Sequence, residues 1–183
     1  MTDFDEVYLP REDTYLMEKA LVKFNLKNKN VLEIGCGSGY LSIYCAKQGA
    51  KVTSVDINQL ALQYASKEAQ KENINITFIE SNLFSNVKDK FDIIFFNPPY
   101  LVSDKIEYLS LDGGKEGREI IDNFLKDFDK YLLSDGFVLL LHTDYNNLDK
   151  TKKILSKKGF VLEVILQEHI FFEDLYTLKI NKL

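Results

Sequence analysis

The stretch VLEIGCGSGYLS, residues 31–42, joins a predicted strand to a predicted helix through a turn with three glycines. The segment before the turn is mostly apolar and ends at a glycine, which is typical of a strand inside a parallel sheet. Glycine allows a tight turn and a close approach of the backbone to a ligand, and the three stand at Gly35, Gly37 and Gly39. A helix that begins at about Leu41 completes a unit in which α/β proteins often bind a ligand.

Strand-like and helix-like segments alternate on both sides of this stretch. The strand-like segments are NVLEIG (30–35), AKVTSVD (50–56), INITFIE (74–80), FDIIFF (91–96), GFVLLLHT (136–143), FVLEVILQE (160–168) and LYTLKI (175–180). Apolar residues recur at helical spacing between them, and Asp13 or Thr14 is the expected N-cap of the first helix. The order predicts an α/β fold: a mostly parallel sheet with helices on both faces and a C-terminal antiparallel hairpin.

The composition favours one compact domain, residues 1–183, in a reducing compartment. The chain is 45% apolar, which is enough for a sizeable core. Cys36 and Cys45 do not form a CxxC pair and lie far from both histidines in the sequence, so neither a disulfide nor a metal site is predicted. No apolar run is long enough to span a membrane, and the start MTDFDEVYLPRED is acidic rather than signal-like, so a cytoplasmic location is expected.

The charge balance argues against a nucleic-acid partner. Twenty-eight acidic and 23 basic residues give a net charge of −5, whereas nucleic-acid binding depends on neutralising phosphates. The basic cluster TKKILSKKGF, residues 151–160, has helical spacing, and its interpretation here is a solvated outer face rather than a nucleic-acid patch.

Two carboxylates accompany the glycine turn. Glu33 precedes the first glycine by two positions, while Tyr40 stands where a dinucleotide-phosphate fingerprint needs a small residue. Asp56 ends the second predicted strand, 23 residues after Glu33, and a carboxylate there can accept both hydroxyls of a ribose. The alternative role of Asp56 is that of a helix N-cap, which Asn58 could also supply.

The pattern E-x-G-x-G-x-G resembles motif I of the class I S-adenosyl-L-methionine-dependent methyltransferases. The resemblance implies a Rossmann-like fold with a seven-stranded sheet, S-adenosyl-L-methionine as cofactor, and a glycine turn that holds its methionine part, with Glu33 at the same end. After the third strand the family usually has an aspartate for the adenine amino group. This chain has Asn82, whose side-chain oxygen can still accept that hydrogen bond, and Leu83 for packing on the adenine ring or into the core.

The fourth predicted strand ends in FDIIFFNPPYLVS, residues 91–103. Prolines end strands because they lack an N–H group, which accounts for Pro98 and Pro99 but not for Asn97 and Tyr100. The Asn97 side-chain oxygen and the Pro98 carbonyl could hold a planar nitrogen in line with a methyl donor, and Tyr100 offers a face for stacking. NPPY resembles the motif of methyltransferases that act on adenine N6, guanine N2 or the glutamine amide, so these four residues are the predicted catalytic residues.

Two further stretches, VYLPREDTYLM (7–17) and LDGGKEGREIID (111–122), resemble the archaeal and eukaryotic branch of the HemK-type glutamine methyltransferases. That branch methylates N5 of the glutamine in the GGQ motif of class I release factors, and the same function is expected of this chain. The resemblance implies that residues 1–28 contribute to the cofactor site. Together with motif I it implies the cofactor-binding residues Thr14, Glu33, Gly35, Gly37, Gly39, Asp56, Asn82, Leu83 and Asn97.

The glycine-rich loop 111–118 has two interpretations. Its three glycines, Gly113, Gly114 and Gly117, would allow a flexible or tightly turned flap that Arg118 anchors at a helix start, or a simple surface turn. His142, at the end of the fifth predicted strand, is interpreted as a capping or rim histidine with a backbone partner rather than a catalytic group. His169, in the terminal hairpin, is expected to be structural.

Partners follow from the family resemblance. Only about thirty residues precede the first strand, too few for the helical substrate-binding domain of the bacterial members. The resemblance therefore implies, besides the release factor, a small zinc-binding activator subunit, which could pair with an edge strand formed by residues 74–80.

Three other functions remain open from the sequence. The first is a nucleic-acid amino-methyltransferase with the same NPPY chemistry, which the acidic balance disfavours. The second is a histone lysine methyltransferase activity, to which the eukaryotic members of the branch are linked. The third is a non-catalytic cofactor-binding subunit, which would have no chemical need for Asn97.

Overall fold

The computed structural model describes residues 7–104, 110–170 and 173–183. The first six residues of the predicted N-terminal segment 1–28 lie outside that description. The elements in chain order are α1 (Glu12–Leu21), β1 (Asn30–Ile34), α2 (Tyr40–Lys47), β2 (Lys51–Asp56), α3 (Gln59–Lys71), β3 (Thr77–Glu80), β4 (Phe91–Phe96), α4 (Glu119–Asp127), β5 (Leu132–Thr143), α5 (Leu148–Lys157), β6 (Phe160–Ile170) and β7 (Glu173–Lys182). Short 3-10 turns lie at Lys115–Gly117, Phe128–Lys130 and Asp144–Asn146.

The strands form one seven-stranded sheet in the order β3-β2-β1-β4-β5-β7-β6. The pairs from β3 to β5 are parallel, whereas β7 runs antiparallel to both β5 and β6. The chain moves outward from β1 in one direction and then returns to place β4 on its other side. In α/β sheets a ligand-binding crevice lies at such a reversal of strand order, which here falls at the carboxyl ends of β1 and β4.

Alternation along the central strands divides the core between the two faces of the sheet. In β4, Ile93 and Phe95 pack with residues of α1 and α2, while Ile94 and Phe96 pack with residues of α4 and α5. Phe96 and Phe124 lie with ring centroids 5.1 Å apart. Burying a side chain of this size contributes about 1.5–3 kcal/mol, so both helical layers hold the sheet firmly. The predicted fold class, with helices on both faces and the antiparallel hairpin, is confirmed.

Some predicted element bounds are wrong. β3 starts at Thr77 instead of residue 74, because the Ile74 N–H donates to the Ala69 carbonyl at 2.9 Å and still belongs to the turn that ends α3. β5 starts at Leu132, four residues before Gly136. Neither expected residue is the N-cap of α1, which is Arg11; the Thr14 hydroxyl instead accepts the Arg11 N–H from the third position of the helix.

Among the described helices, none combines the length and the apolar character that a membrane crossing requires. Cys36 and Cys45 are both buried and unpaired with each other.

Candidate active site

The carboxyl ends of β1, β2, β3 and β4 carry the predicted site residues to one edge of the sheet. The glycine turn follows β1, Asp56 closes β2, Asn82 follows β3 and Asn97 follows β4. Parallel strands place these ends side by side, so the sequence positions that the motifs single out do meet in space.

Asp56 joins the glycine turn to the start of α3. Its carboxylate accepts the Gly37 N–H at 2.9 Å on Oδ2 and the Asn58 N–H at 2.8 Å on Oδ1. Burial raises the pKa of Asp56, and these backbone donors oppose the rise. Asn58 is the N-cap of α3, since its side chain accepts the Leu60 N–H at 2.9 Å. Each carboxylate oxygen of Asp56 has a second lone pair, so both can still accept a hydroxyl.

Gly39 serves the packing of the fold. A Cβ there would lie 2.6 Å from the Cβ of Ala65 in α3, and its φ of +77° favours glycine. The third glycine of the pattern therefore brings α3 close to the turn, as well as starting α2 as its N-cap.

Glu33 is buried beneath the turn, with only 4% of its surface exposed. It accepts a hydrogen bond from the Ser42 hydroxyl, which also contacts the Ser54 hydroxyl. Burial raises the pKa of Glu33 to about 8, with a smaller contribution from the nearby Asp56 carboxylate and against the opposing effect of the Ser42 hydrogen bond. The residue thus supports the turn from below, and its carboxyl keeps a proton more readily than an exposed one.

The loop after β3 lies next to Asp56. The Ser81 N–H donates to the Asp56 carbonyl at 2.9 Å. Asn82 is exposed at this position, and Leu83 is half-buried against the core with a φ of +50°. A left-handed conformation is uncommon for leucine, and such outliers cluster at functional loops.

Asn97 has one satisfied and one unsatisfied end. Its Nδ2 donates to Oδ2 of Asp13 at 2.9 Å. Its Oδ1 is buried and meets no donor in the described part of the chain. A buried acceptor without a partner costs about 1–3 kcal/mol, so the arrangement is ready to receive a donor from a ligand.

The N-terminal segment contacts both the glycine turn after β1 and Asn97 after β4. The Tyr8 hydroxyl donates to Asp13 Oδ2 at 2.7 Å, and the Tyr8 carbonyl accepts the Ser38 N–H of the glycine turn at 3.0 Å. Thr14, the predicted cofactor residue of this segment, is buried, and its hydroxyl accepts the Arg11 N–H at 3.3 Å.

The rest of NPPY is held from behind by a buried turn. Pro98 is buried, Pro99 and Tyr100 are half-buried, and burial raises the pKa of the Tyr100 hydroxyl. Nδ2 of Asn146 donates to the Tyr100 carbonyl at 3.1 Å and to the Gly117 carbonyl at 2.9 Å.

The loop 111–118 is a packed support, and its interpretation as a simple surface turn is wrong. The Gly113 N–H donates to the Leu101 carbonyl at 2.8 Å, and a Cβ on Gly117 would lie 2.2 Å from the Tyr100 carbonyl oxygen. Arg118, 1% exposed, donates to the carbonyls of Asn146 and Asn147, to Thr151 and to Asp122. The predicted anchoring role of this arginine is confirmed.

Both histidines have structural surroundings. His142 is fully buried, with Nδ1 3.0 Å from the Thr143 carbonyl and Nε2 3.0 Å from the Thr151 hydroxyl. Because a carbonyl only accepts, Nδ1 carries the proton, and burial lowers the pKa of the ring to about 4. His169 lies in the hairpin with Nδ1 3.0 Å from Asp174.

Sequence reasoning missed three residues of this edge. Asn146 belongs to none of the motifs. Tyr8 and Asp13 lie in the stretch 7–17, but Tyr8 was assigned no role and Asp13 only that of a helix cap. Acidic residues are common at the start of a helix, so the sequence around Asp13 gives no sign of its contact with Asn97, 84 residues away.

Comparison with known proteins agrees with this geometry. The family model described as "Methyltransferase small domain" matches residues 13–165. An inferred protein N5-glutamine methyltransferase of Methanocaldococcus jannaschii is 45% identical over 180 residues, covering 94% of this chain and 90% of that protein. Human methyltransferase HEMK2 is 31% identical over 195 residues, covering 98% of this chain and 91% of that protein.

Among solved structures, a chain of the E. cuniculi Mtq2–Trm112 complex, responsible for methylation of the translation termination factor eRF1, superposes with a TM-score of 0.82. It is 26% identical, and the match covers 97% of this chain and 99% of that one. The chain spans only 51% to 63% of the length of bacterial release factor glutamine methyltransferases that it also matches. Since the family match takes in most of the chain, it belongs to the methyltransferase small-domain family and is an S-adenosyl-L-methionine-dependent methyltransferase.

Proposed function

We propose that this chain methylates N5 of the glutamine in the GGQ motif of a class I peptide chain release factor. The observation that carries the proposal is Oδ1 of Asn97, directly after β4, which is buried and has no hydrogen-bond partner among the described residues. A primary amide presents two N–H donors, and one of them would satisfy this acceptor. The resemblance to HEMK2 and to the chain of the Mtq2–Trm112 complex supports the choice of a release factor.

The cofactor would bind along the edge from α1 to the loop after β3. S-adenosyl-L-methionine supplies a methyl group on a positively charged sulfur. Asp56 would accept the ribose hydroxyls with the lone pairs that its backbone donors leave free, and Asn82 with Leu83 would receive the adenine. The remaining proposed contacts come from the methionine end of the site: Thr14, Glu33, Gly35, Gly37, Gly39 and Asn97.

The substrate amide would be held by NPPY. Asn97 Oδ1 and the Pro98 carbonyl would each accept one amide N–H, which fixes the nitrogen and directs it at the methyl carbon. Pro98 and Pro99 restrict the backbone, and Tyr100 provides a flat surface against the planar amide. The site needs no strong base, because the amide proton can leave to water after the N–C bond has formed.

A small partner subunit is the second part of the proposal. β3 is the outermost strand of the parallel side of the sheet, so its outer edge can accept another strand. One relative is part of the Mtq2–Trm112 complex, and we expect a small zinc-binding partner for this chain. Co-expression of the chain with that kind of subunit should give a stable complex; failure to co-purify would contradict this part alone.

We further propose that residues 1–183 act as one domain, with residues 1–28 completing the cofactor site. A release factor works with ribosomes, so the expected location is the cytoplasm.

The deciding experiment uses S-adenosyl-L-methionine with a labelled methyl group. The chain, with and without the partner subunit, is incubated with a class I release factor, with the same factor carrying alanine in place of the GGQ glutamine, and with DNA. We expect label in the first factor only. Label in DNA and none in the release factor would contradict the proposal in favour of a nucleic-acid amino-methyltransferase.

A further inference from the structure

Asp13 is a buried carboxylate to which the sequence motifs assign no role. The residue is only 4% exposed, and its carboxylate accepts four hydrogen bonds. Oδ2 accepts from the Tyr8 hydroxyl at 2.7 Å and from Asn97 Nδ2 at 2.9 Å, while Oδ1 accepts from the Thr14 N–H at 2.6 Å and the Thr14 hydroxyl at 3.2 Å. A buried carboxylate needs such donors, and this one takes a donor from the residue proposed to hold the substrate.

The carboxylate decides which way the Asn97 amide faces. An asparagine side chain has one accepting and one donating end, whereas an ionised carboxylate only accepts. Only Nδ2 of Asn97 can therefore lie against Asp13, and Oδ1 must point away from it. In the flipped orientation two oxygens would face each other at hydrogen-bond distance, and Nδ2 would occupy the place where the substrate amide presents its own N–H donors.

We propose that Asp13, held in place by Tyr8, is a positioning residue for methyl transfer. It fixes the Asn97 amide with its acceptor toward the substrate, and so makes the site select a group that offers N–H donors. A hydrogen bond from Nδ2 to an anion also polarises the amide, which strengthens Oδ1 as an acceptor while positive charge develops on the substrate nitrogen. The inference rests on the proposed function for its substrate, but the orientation of Asn97 can be tested without one.

A purely structural role for Asp13 predicts different results. In that case Asp13 would only tie the segment around Tyr8 to the sheet, and its loss would lower thermal stability and cofactor affinity together. A positioning role acts through Asn97, so it lowers kcat, leaves the Kd for S-adenosyl-L-methionine unchanged, and disappears when Asn97 is absent.

The kinetic test compares Asp13→Asn with the matched control Asp135→Asn, which removes an exposed carboxylate near the start of β5. We expect Asp13→Asn to lower kcat on the release factor about 100-fold, the size of effect that small misplacements of a bound group produce, and Asp135→Asn to stay within about twofold. In an Asn97→Ala background the further effect of Asp13→Asn should shrink to about twofold. Tyr8→Phe, which removes one of the donors to Asp13, should lower kcat by about fivefold.

The spectroscopic test needs no substrate. The Asn97 side-chain amide of the ¹⁵N-labelled protein is assigned by its loss in Asn97→Ala. In the wild type, one of its two protons should be shifted downfield and exchange slowly because it is bonded to a carboxylate, and Asp13→Asn should abolish both features.

The outcomes separate the two proposals. Unchanged Asn97 amide signals in Asp13→Asn, an undiminished kcat, or an equal loss of cofactor affinity would each overturn the positioning role. A wild-type protein that shows the carboxylate-bonded amide but transfers no methyl group to the release factor would overturn the proposed substrate and leave the orientation of Asn97 established.

Discussion

The two ends of the crevice differ in how their polar groups are satisfied. On the side of the glycine turn, Asp56 takes two backbone N–H donors and Glu33 takes a hydroxyl, so the turn is internally bonded. On the side of NPPY, Asn97 keeps a buried acceptor with no donor among the described residues. The difference suggests a preformed cofactor side and a substrate side that is completed only by its ligand. Four variants test this contrast.

The largest effect is expected from Asn97→Ala. It removes the acceptor proposed for the substrate amide and should lower methyl transfer to the release factor about 1,000-fold, comparable to the loss of one preorganised transition-state contact. The Kd for S-adenosyl-L-methionine, measured by calorimetry, should change only a few-fold. Asn75→Ala, at an exposed asparagine, is the control. Equal loss of cofactor affinity would mean that Asn97 belongs to the preformed side.

Asp56→Ala should instead act mainly on cofactor binding. It leaves the Gly37 and Asn58 N–H groups without their acceptor and removes the carboxylate proposed for the ribose. Losing hydrogen bonds to a charged group costs about 1.5–3 kcal/mol each, so we expect the cofactor Kd to rise about 100-fold. Asn58→Ala removes the α3 cap instead and should cost about 1 kcal/mol of stability with little change in Kd. Similar Kd values for both variants would contradict the ribose role.

Gly117→Ala tests whether the packed loop positions NPPY. The new Cβ would lie 2.2 Å from the Tyr100 carbonyl oxygen, so the backbone of NPPY must shift. We expect kcat to fall about tenfold with an unchanged cofactor Kd. Gly159→Ala is the matched control, because its φ of +79° carries the same strain while nothing lies within 4 Å of the new Cβ. An equal loss of activity in both variants would show that strain alone, and not the contact with Tyr100, is responsible.

The fourth variant, Glu33→Gln, tests stability instead of activity. The pKa of Glu33 is raised to about 8 in the folded protein, above its ordinary value of 4.5, so the folded state holds the proton more tightly than the unfolded state. The free energy of unfolding therefore falls as pH rises from about 4.5 to about 8. Glutamine does not titrate, and we expect the variant to gain about 1–3 kcal/mol relative to wild type between pH 5 and pH 8.5.

Thermal or urea unfolding at the two pH values measures this gain. Asp135→Asn, at an exposed carboxylate, should show no such difference. A Glu33→Gln variant with the same pH dependence as the wild type would mean that Glu33 ionises freely beneath the turn.

The sequence predicted the fold and the position of the site well, because both depend on local patterns. The alternation of elements gives the sheet, and the motifs sit at strand ends, where topology brings Gly37, Asp56 and Asn97 together. Contacts between distant segments could not be predicted. Asp13 looked like a helix cap, and only the folded chain shows that its carboxylate faces Asn97.

The short β3 was missed for a similar reason, and the packing of the loop 111–118 was predicted only as one of two interpretations. Residue 74 continues the apolar pattern of a strand, but a backbone hydrogen bond to Ala69 keeps it in the turn after α3. Glycines in a loop suggest a mobile surface turn, whereas Gly117 is required by the carbonyl of Tyr100, which lies in another segment.

The position of β7 has a consequence for synthesis on the ribosome. β7 lies between β5 and β6 and is the only strand of the described sheet that β6 pairs with. The parallel pairs among β1, β2, β3 and β4 can form as soon as β4 has emerged, but β5 pairs only with β4 until residues 173–182 follow. Since β5 leads into Asn146, which holds the Tyr100 carbonyl, a nascent chain lacks the final support of NPPY. The enzyme should therefore become active only after its seventh strand has left the exit tunnel.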